Sequence, residues 1–151
     1  MPKNKLKIAV LFGGKSAEHE VSLVSAKNII QALNKDKYDI TKVKIDKTGK
    51  FNFNLLKNVD VVFPVLHGPY GEDGSMQGFL KILDLPFVGP NVLGSALGMD
   101  KDVMKRLLKE ASIPIGKFIT VHKGEEISFN KVTEALGLPV FIKPANMGSS
   151  V

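Results

Sequence analysis

Ile8-Ala9-Val10-Leu11-Phe12-Gly13-Gly14-Lys15-Ser16-Ala17-Glu18-His19-Glu20-Val21-Ser22, continued by L-V-S-A to residue 26, sets the architecture: an apolar strand, a paired-glycine turn and a charged helix start. Residues 8–12 are an unbroken apolar run, which predicts a strand buried on both faces of a parallel sheet. Gly13 and Gly14 permit a sharp turn because no Cβ obstructs it, and Ser16 is placed to accept the first free amides of the helix. In open α/β sheets ligands lie beyond the carboxyl ends of the strands, so Glu18, His19 and Glu20 fall at a candidate binding edge. Acidic residues equally suit the positive end of a helix. From this turn alone the plainer, structural reading is preferred.

Two phosphate-binding patterns fail at the same turn. A Walker loop requires a glycine where the chain has Ala9, inside the strand. A dinucleotide fingerprint requires G-x-G-x-x-G, whereas here the glycines are adjacent and Ala17 closes the turn. A dinucleotide-binding domain is therefore a distant alternative.

The chain has 151 residues, 44% hydrophobic and 24% charged, ordinary values for a globular protein and not for a disordered or fibrous one. A chain of this size buries roughly 68–70% of the surface that its unfolded form exposes. It holds no cysteine, which excludes disulfides, thiolate metal sites and a cysteine nucleophile and permits a reducing compartment. The apolar run after Met1-Pro2-Lys3 is too short for a signal peptide core or a membrane span, so a cytoplasmic protein without membrane association is expected. The net charge of +6 raises the question of nucleic acid, but of 21 lysines and arginines only Arg106 is arginine, and they are scattered. With two tyrosines and no tryptophan there is no stacking platform, so no nucleic acid partner is expected. Anionic small molecules such as nucleotide phosphates remain compatible.

Periodicity predicts a helix over about residues 20–33, an edge-like strand at Thr41, Val43 and Ile45, and a turn over 46–50. Phe51 and Phe53 suggest a further short strand. Residues 60–66 read as a second buried parallel strand, leading into the glycine-rich loop 67–74 and a helix over 75–83. A strand is expected at 85–90, bracketed by breakers, then helices over 91–99 and 100–110 with Asp100 as N-cap. From Ile113-Pro114 the pattern changes. Strands are expected at 117–121 and 140–143, with a helix between them from the Ser128 cap to about residue 136. The chain then stops inside the loop 144–151, which suggests the front part of a longer protein.

His67 sits at a crevice edge, suited either to a carboxylate or to backbone groups of its own loop. Glu72 and Asp73 have metal-ligand chemistry, but adjacent side chains on a tight loop seldom converge on one ion, and bonding to the amides of 71–75 is the preferred role. Lys101 and Lys143 lie at element boundaries. Lys143 ends an apolar strand and is aimed toward Gly148-Ser149-Ser150, whose amides and hydroxyls beside a cation suit a phosphate.

Four stretches taken together closely resemble the D-alanine–D-alanine ligase family, in its order and spacing and over essentially the whole chain. They are L-F-G-G-x-S-A-E-H-E-V-S at 11–22, H-G-x-x-G-E-D-G-x-x-Q-G at 67–78, S-A-L-G-M-D-K at 95–101 and I-K-P-A-x-x-G-S-S-V at 142–151. The resemblance implies an α/β ATP-grasp protein. Residues 1–115 would form an open parallel-sheet, Rossmann-like N-terminal domain, and residues 116–151 the beginning of the central ATP-grasp domain. It implies ATP-dependent joining of two D-alanines through an acyl phosphate, for peptidoglycan synthesis, in a homodimer. Glu18 resembles the acid that meets the ammonium of the first D-alanine, Ser149 the serine bonded to it, and His67 the residue near that substrate's carboxylate. Lys101 and Lys143, with Gly148, Ser149 and Ser150, resemble the holders of the ATP phosphates, and the ligands for Mg²⁺ or Mn²⁺ would lie after Val151. The rival readings are a ligase joining D-alanine to D-lactate and a non-catalytic binding or oligomerisation domain.

Overall fold

The computed structural model describes residues 5–147. Three parallel strands, β1 (Leu6–Gly13), β2 (Tyr38–Ile45) and β3 (Val61–Val65), form a sheet in the order β2-β1-β3. The central strand is the one with the unbroken apolar run. Its alternate side chains enter two different cores, as the two-residue period of a strand requires. Ala9 and Leu11 pack with Val43, Ile45, Val62 and Leu80 on one face, and Ile8 and Val10 with Ala26 and Val65 on the other.

Helix α1 (His19–Ala32) covers the second face with Ala26, Ile29 and Ile30. The first face is closed by α2 (Ser75–Ile82) and a 3₁₀ turn (Phe53–Leu56). Phe51 and Phe53 thus make no strand. The Asn52 side chain accepts from Asn54 N at 3.1 Å, and both rings meet Phe79 edge-on with centroids 6.1 Å apart. The register of β3 is pinned where Asp60 both donates to the Lys7 carbonyl and accepts from the Lys7 amide.

Residues 85–90 run along β3 but make only one parallel bridge, Val62 to Phe87, since Pro86 and Pro90 cannot donate to a ladder. Helices α3 (Val92–Met99) and α4 (Lys101–Glu110) follow, and the Asp100 carboxylate accepts from Asp102 N and Val103 N at 3.0 Å, as an N-cap should. Helix α5 (Phe129–Leu136) starts at Ser128, as expected. The strands expected at 117–121 and 140–143 have no ladder partner among the described residues. Thr120 instead donates to Asp102, and Phe118 lies under the Lys105 ammonium, 4.8 Å from ring centroid to Nζ.

Leu11→Ala is expected to lower the unfolding free energy by about 2–5 kcal/mol in urea titrations followed by circular dichroism. Lys81→Ala, on an exposed position, should change it by less than about 0.5 kcal/mol. A similar small loss for both would contradict the central placement of β1.

Candidate functional site

The carboxyl ends of β1 and β3 are tied together by one buried hydroxyl. Ser22, on the first turn and a half of α1, accepts from Gly13 N at 2.7 Å and donates to the Val65 carbonyl. Gly13 itself has φ +94°, and a Cβ there would meet the Ile45 carbonyl oxygen at 2.3 Å, so the turn admits glycine alone. His19 is buried beside it, its Nδ1 2.7 Å from the Gly14 carbonyl. A carbonyl only accepts, so Nδ1 carries the proton.

Ser16 bridges the two turns. Its hydroxyl donates to the His67 carbonyl at 2.6 Å and accepts from Glu18 N at 3.2 Å. The helix begins later than this serine would suggest, with Glu18 in the N-cap position and no side-chain cap. Ser16 therefore serves only the amide before the first helical residue, and its main bond is to the other loop.

Glu18 is 8% exposed and its Oε2 has no partner. That oxygen faces Gly68, where a Cβ would approach it to 2.6 Å and where φ is +71°. A buried carboxylate oxygen facing bare backbone is costly unless something cationic completes it. The position is suited to an ammonium group.

The loop 67–74 is held by its own acids. Glu72 accepts from Gly68 N at 2.7 Å, and Asp73 from Tyr70 N at 2.9 Å and Ser75 N at 3.0 Å. The two acids do bond loop amides, but of the expected range 71–75 only Ser75 is reached; the other two bonds go further back, to Gly68 and Tyr70. The His67 ring turns to α1, with Nε2 3.1 Å from Ser25 Oγ, and not to the backbone of its own loop. Tyr70 lies under the Lys15 ammonium at 5.1 Å, a further link from the β3 loop to the β1 turn.

A cavity of about 700 Å³ opens between these loops and α3–α4, its wall including His67, Glu72, Gln77, Ser95, Lys101 and Met147. Lys101 donates from Nζ to the Met147 carbonyl at 2.6 Å and from its amide to the Ala145 carbonyl at 3.0 Å. His67 and Lys101 therefore share one cavity, whereas Glu18, packed against Gly68, is not among the residues that line it. Lys143 does not join them. Its ammonium is over Phe141, 5.8 Å from the centroid, on an exposed segment. Gly148, Ser149 and Ser150 lie outside the described residues. Among the described residues no three His, Cys, Asp or Glu side chains come together to hold a metal ion. Ser22, Ser25 and Gln77 were not singled out from sequence. A serine on the sheet-facing side of α1, and a glutamine inside the second glycine motif, were the available signals.

A parallel sheet whose strand ends carry interlocked glycine loops around a polar-edged cavity is the arrangement of an α/β protein that binds small ligands. The sequence model described as D-ala D-ala ligase N-terminus matches residues 7–57 and 52–90, and that described as D-ala D-ala ligase C-terminus matches residues 107–151. The chain belongs to the D-ala D-ala ligase family.

The D-alanine–D-alanine ligase of Proteus mirabilis is 42% identical over 192 residues, covering 98% of this chain and 52% of that protein. The crystal structure of D-alanine–D-alanine ligase from Bacillus anthracis superposes with a TM-score of 0.78 at 36% identity, covering 97% of this chain and 47% of that one; a second structure of it is complexed with ATP. The VanG D-Ala:D-Ser ligase of Enterococcus faecalis gives 0.77 at 35%, covering 97% and 54%. The chain spans about half the length of the curated relatives it matches. The alignment of 192 residues exceeds the 151 of this chain, so the relative carries residues without a counterpart here. The N-terminal family match is in two overlapping parts that meet at residues 52–57, the 3₁₀ turn between β2 and β3.

Burial opposes ionisation of Asp73, but the amides of Tyr70 and Ser75 outweigh it and hold its carboxyl below the ordinary value of 3.8. A carboxyl depressed by folding stabilises above its unfolded pKa, and that contribution disappears as pH falls through the folded value. The stability difference between the native chain and Asp73→Asn should be constant between about pH 5 and 7 and shrink below about pH 3.8. Urea titrations across that range check it; a difference unchanged down to about pH 2 would contradict it.

Proposed function

We propose that the protein is an ATP-dependent ligase that joins two D-alanine molecules, by way of an acyl phosphate on the first. The observation that carries this reading is the buried, partnerless Oε2 of Glu18 beside Gly68, in a chain of the D-ala D-ala ligase family. A carboxylate is a poor electrophile, so its conversion to an acyl phosphate is what makes attack by a second amine feasible. Glu18 meets the ammonium of the first D-alanine through an opposite-charge hydrogen bond and so orients that substrate. His67, positioned by Ser25, lies near its carboxylate. Lys101, Lys143 and the segment of Gly148, Ser149 and Ser150 hold the ATP phosphates, with Ser149 also bonded to Glu18.

In this reading residues 1–115 are the N-terminal domain and residues 116–151 begin the ATP-binding domain. The two family matches, ending at 90 and beginning at 107, support a change of unit in that region. Bound Mg²⁺ or Mn²⁺ would neutralise phosphate charge. Among the described residues no three His, Cys, Asp or Glu side chains come together to hold it. None of the described helices is long and apolar enough to cross a membrane. We place the protein in the cytoplasm, where ATP is available, as a homodimer; sedimentation at equilibrium tests the latter.

The similarity to a D-Ala:D-Ser ligase, nearly equal to that with a D-alanine–D-alanine ligase, favours one second reading, in which the second substrate is D-serine. Product analysis with each amino acid distinguishes them. On the full gene product, phosphate release from ATP should require D-alanine, and release independent of D-alanine would contradict the proposal. Glu18→Gln should raise the KM for the first D-alanine by about 10- to 100-fold, the range carried by a hydrogen bond to a charged group. The KM for ATP should hold. An unchanged D-alanine KM would remove Glu18 from the site.

A further inference from the structure

Among the groups without a role so far, Gln77 is a buried polar side chain of the cavity wall, at 6% exposure. Its Nε2 donates to the Gly71 carbonyl at 2.9 Å. That bond fixes the orientation of the amide, because turning it over would set Oε1 against another acceptor. Oε1 is thereby left buried with no partner. A buried acceptor without a donor is destabilising, and native proteins keep such groups where a ligand or ordered water completes them.

The missing group must be a donor. An ionised phosphate offers only acceptors and cannot supply it, whereas an ammonium has three N–H groups. The Lys101 ammonium lines the same cavity but is engaged by the Met147 carbonyl. The ammonium of an amino-acid ligand is a donor of the required kind, directly or through one ordered water.

We infer that Gln77 is a positioning residue of this site: Nε2 holds the glycine loop, and with it His67 and Glu72, while Oε1 accepts from a donor brought by a bound amino acid. One planar amide then links occupancy of the cavity to the order of residues 67–74. The inference rests on the amino-acid reading of the site given above and adds a residue to it.

The test uses the full gene product, with near-isosteric Gln77→Met, which loses both bonds, and Gln77→Glu, which keeps an acceptor but loses the donor to Gly71. Steady-state kinetics and amide hydrogen exchange of residues 67–74 are measured with and without D-alanine. Gln77→Met should raise the D-alanine KM about tenfold, the factor of one hydrogen bond, with the ATP KM within about twofold. It should also abolish the slowing of exchange that D-alanine causes in the native protein. Gln77→Glu should exchange faster in the loop yet retain more of the D-alanine affinity than Gln77→Met. A Gln77→Met protein that matches the native response, or one whose two KM values rise together, overturns the inference and leaves the ligase reading standing. A native protein that does not respond to D-alanine at all overturns both.

Discussion

The mouth of this site depends on a serine hydroxyl that no solvent reaches. Ser22 holds the Gly13 amide and the Val65 carbonyl at once, and these are the last backbone groups of β1 and β3 before their loops diverge. Both groups are buried, and an unpaired buried amide or carbonyl costs about 1–3 kcal/mol. The strands are parallel and their pairing ends at Phe12 and Val65, so the sheet alone does not fix how the two loops leave it. A helix that packs on the same face brings the hydroxyl to that point.

With the strand ends fixed, the loops lock each other. Ser16 reaches from the β1 turn to the His67 carbonyl, and Glu72 and Asp73 satisfy the amides of Gly68, Tyr70 and Ser75 from within the second loop. Almost every polar group at the mouth is satisfied internally, which makes the two exceptions informative. Glu18 Oε2 and Gln77 Oε1 are both acceptors, both buried and both without a donor. An amino acid, which carries its positive charge on a compact three-donor head, has the complementary chemistry.

Much of this was legible in the sequence. The apolar run of β1 and the Asp100 cap each rest on a local rule, and local rules sufficed to find them. The same holds for the glycine turns, where the backbone excludes any side chain, and for Glu18, which follows one of them. The failures share a different cause. Residues 117–121 and 140–143 have strand composition, but a strand needs a partner, and Phe141 and Ile142 stand 89% and 96% exposed with none among the described residues. Phe51 and Phe53 have strand spacing too, yet their rings find Phe79 by turning through a 3₁₀ helix, a tertiary contact that no local pattern encodes. Ser22, Ser25 and Gln77 escaped because a single polar residue on a helix carries no signal of what lies opposite. Lys143 was aimed by its place at the end of an expected strand, and that strand has no ladder partner among the described residues.

The central claim is that one buried hydroxyl makes the two glycine loops a single unit. Amide hydrogen exchange on Ser22→Ala, followed by NMR residue by residue, tests it most directly. If the claim holds, protection falls together at Gly13, at Glu18 and across residues 66–74, while the interior of the sheet at Val10 and Val43 keeps its native rates. Faster exchange at Gly13 alone, with the β3 loop unchanged, would show that the loops are held independently.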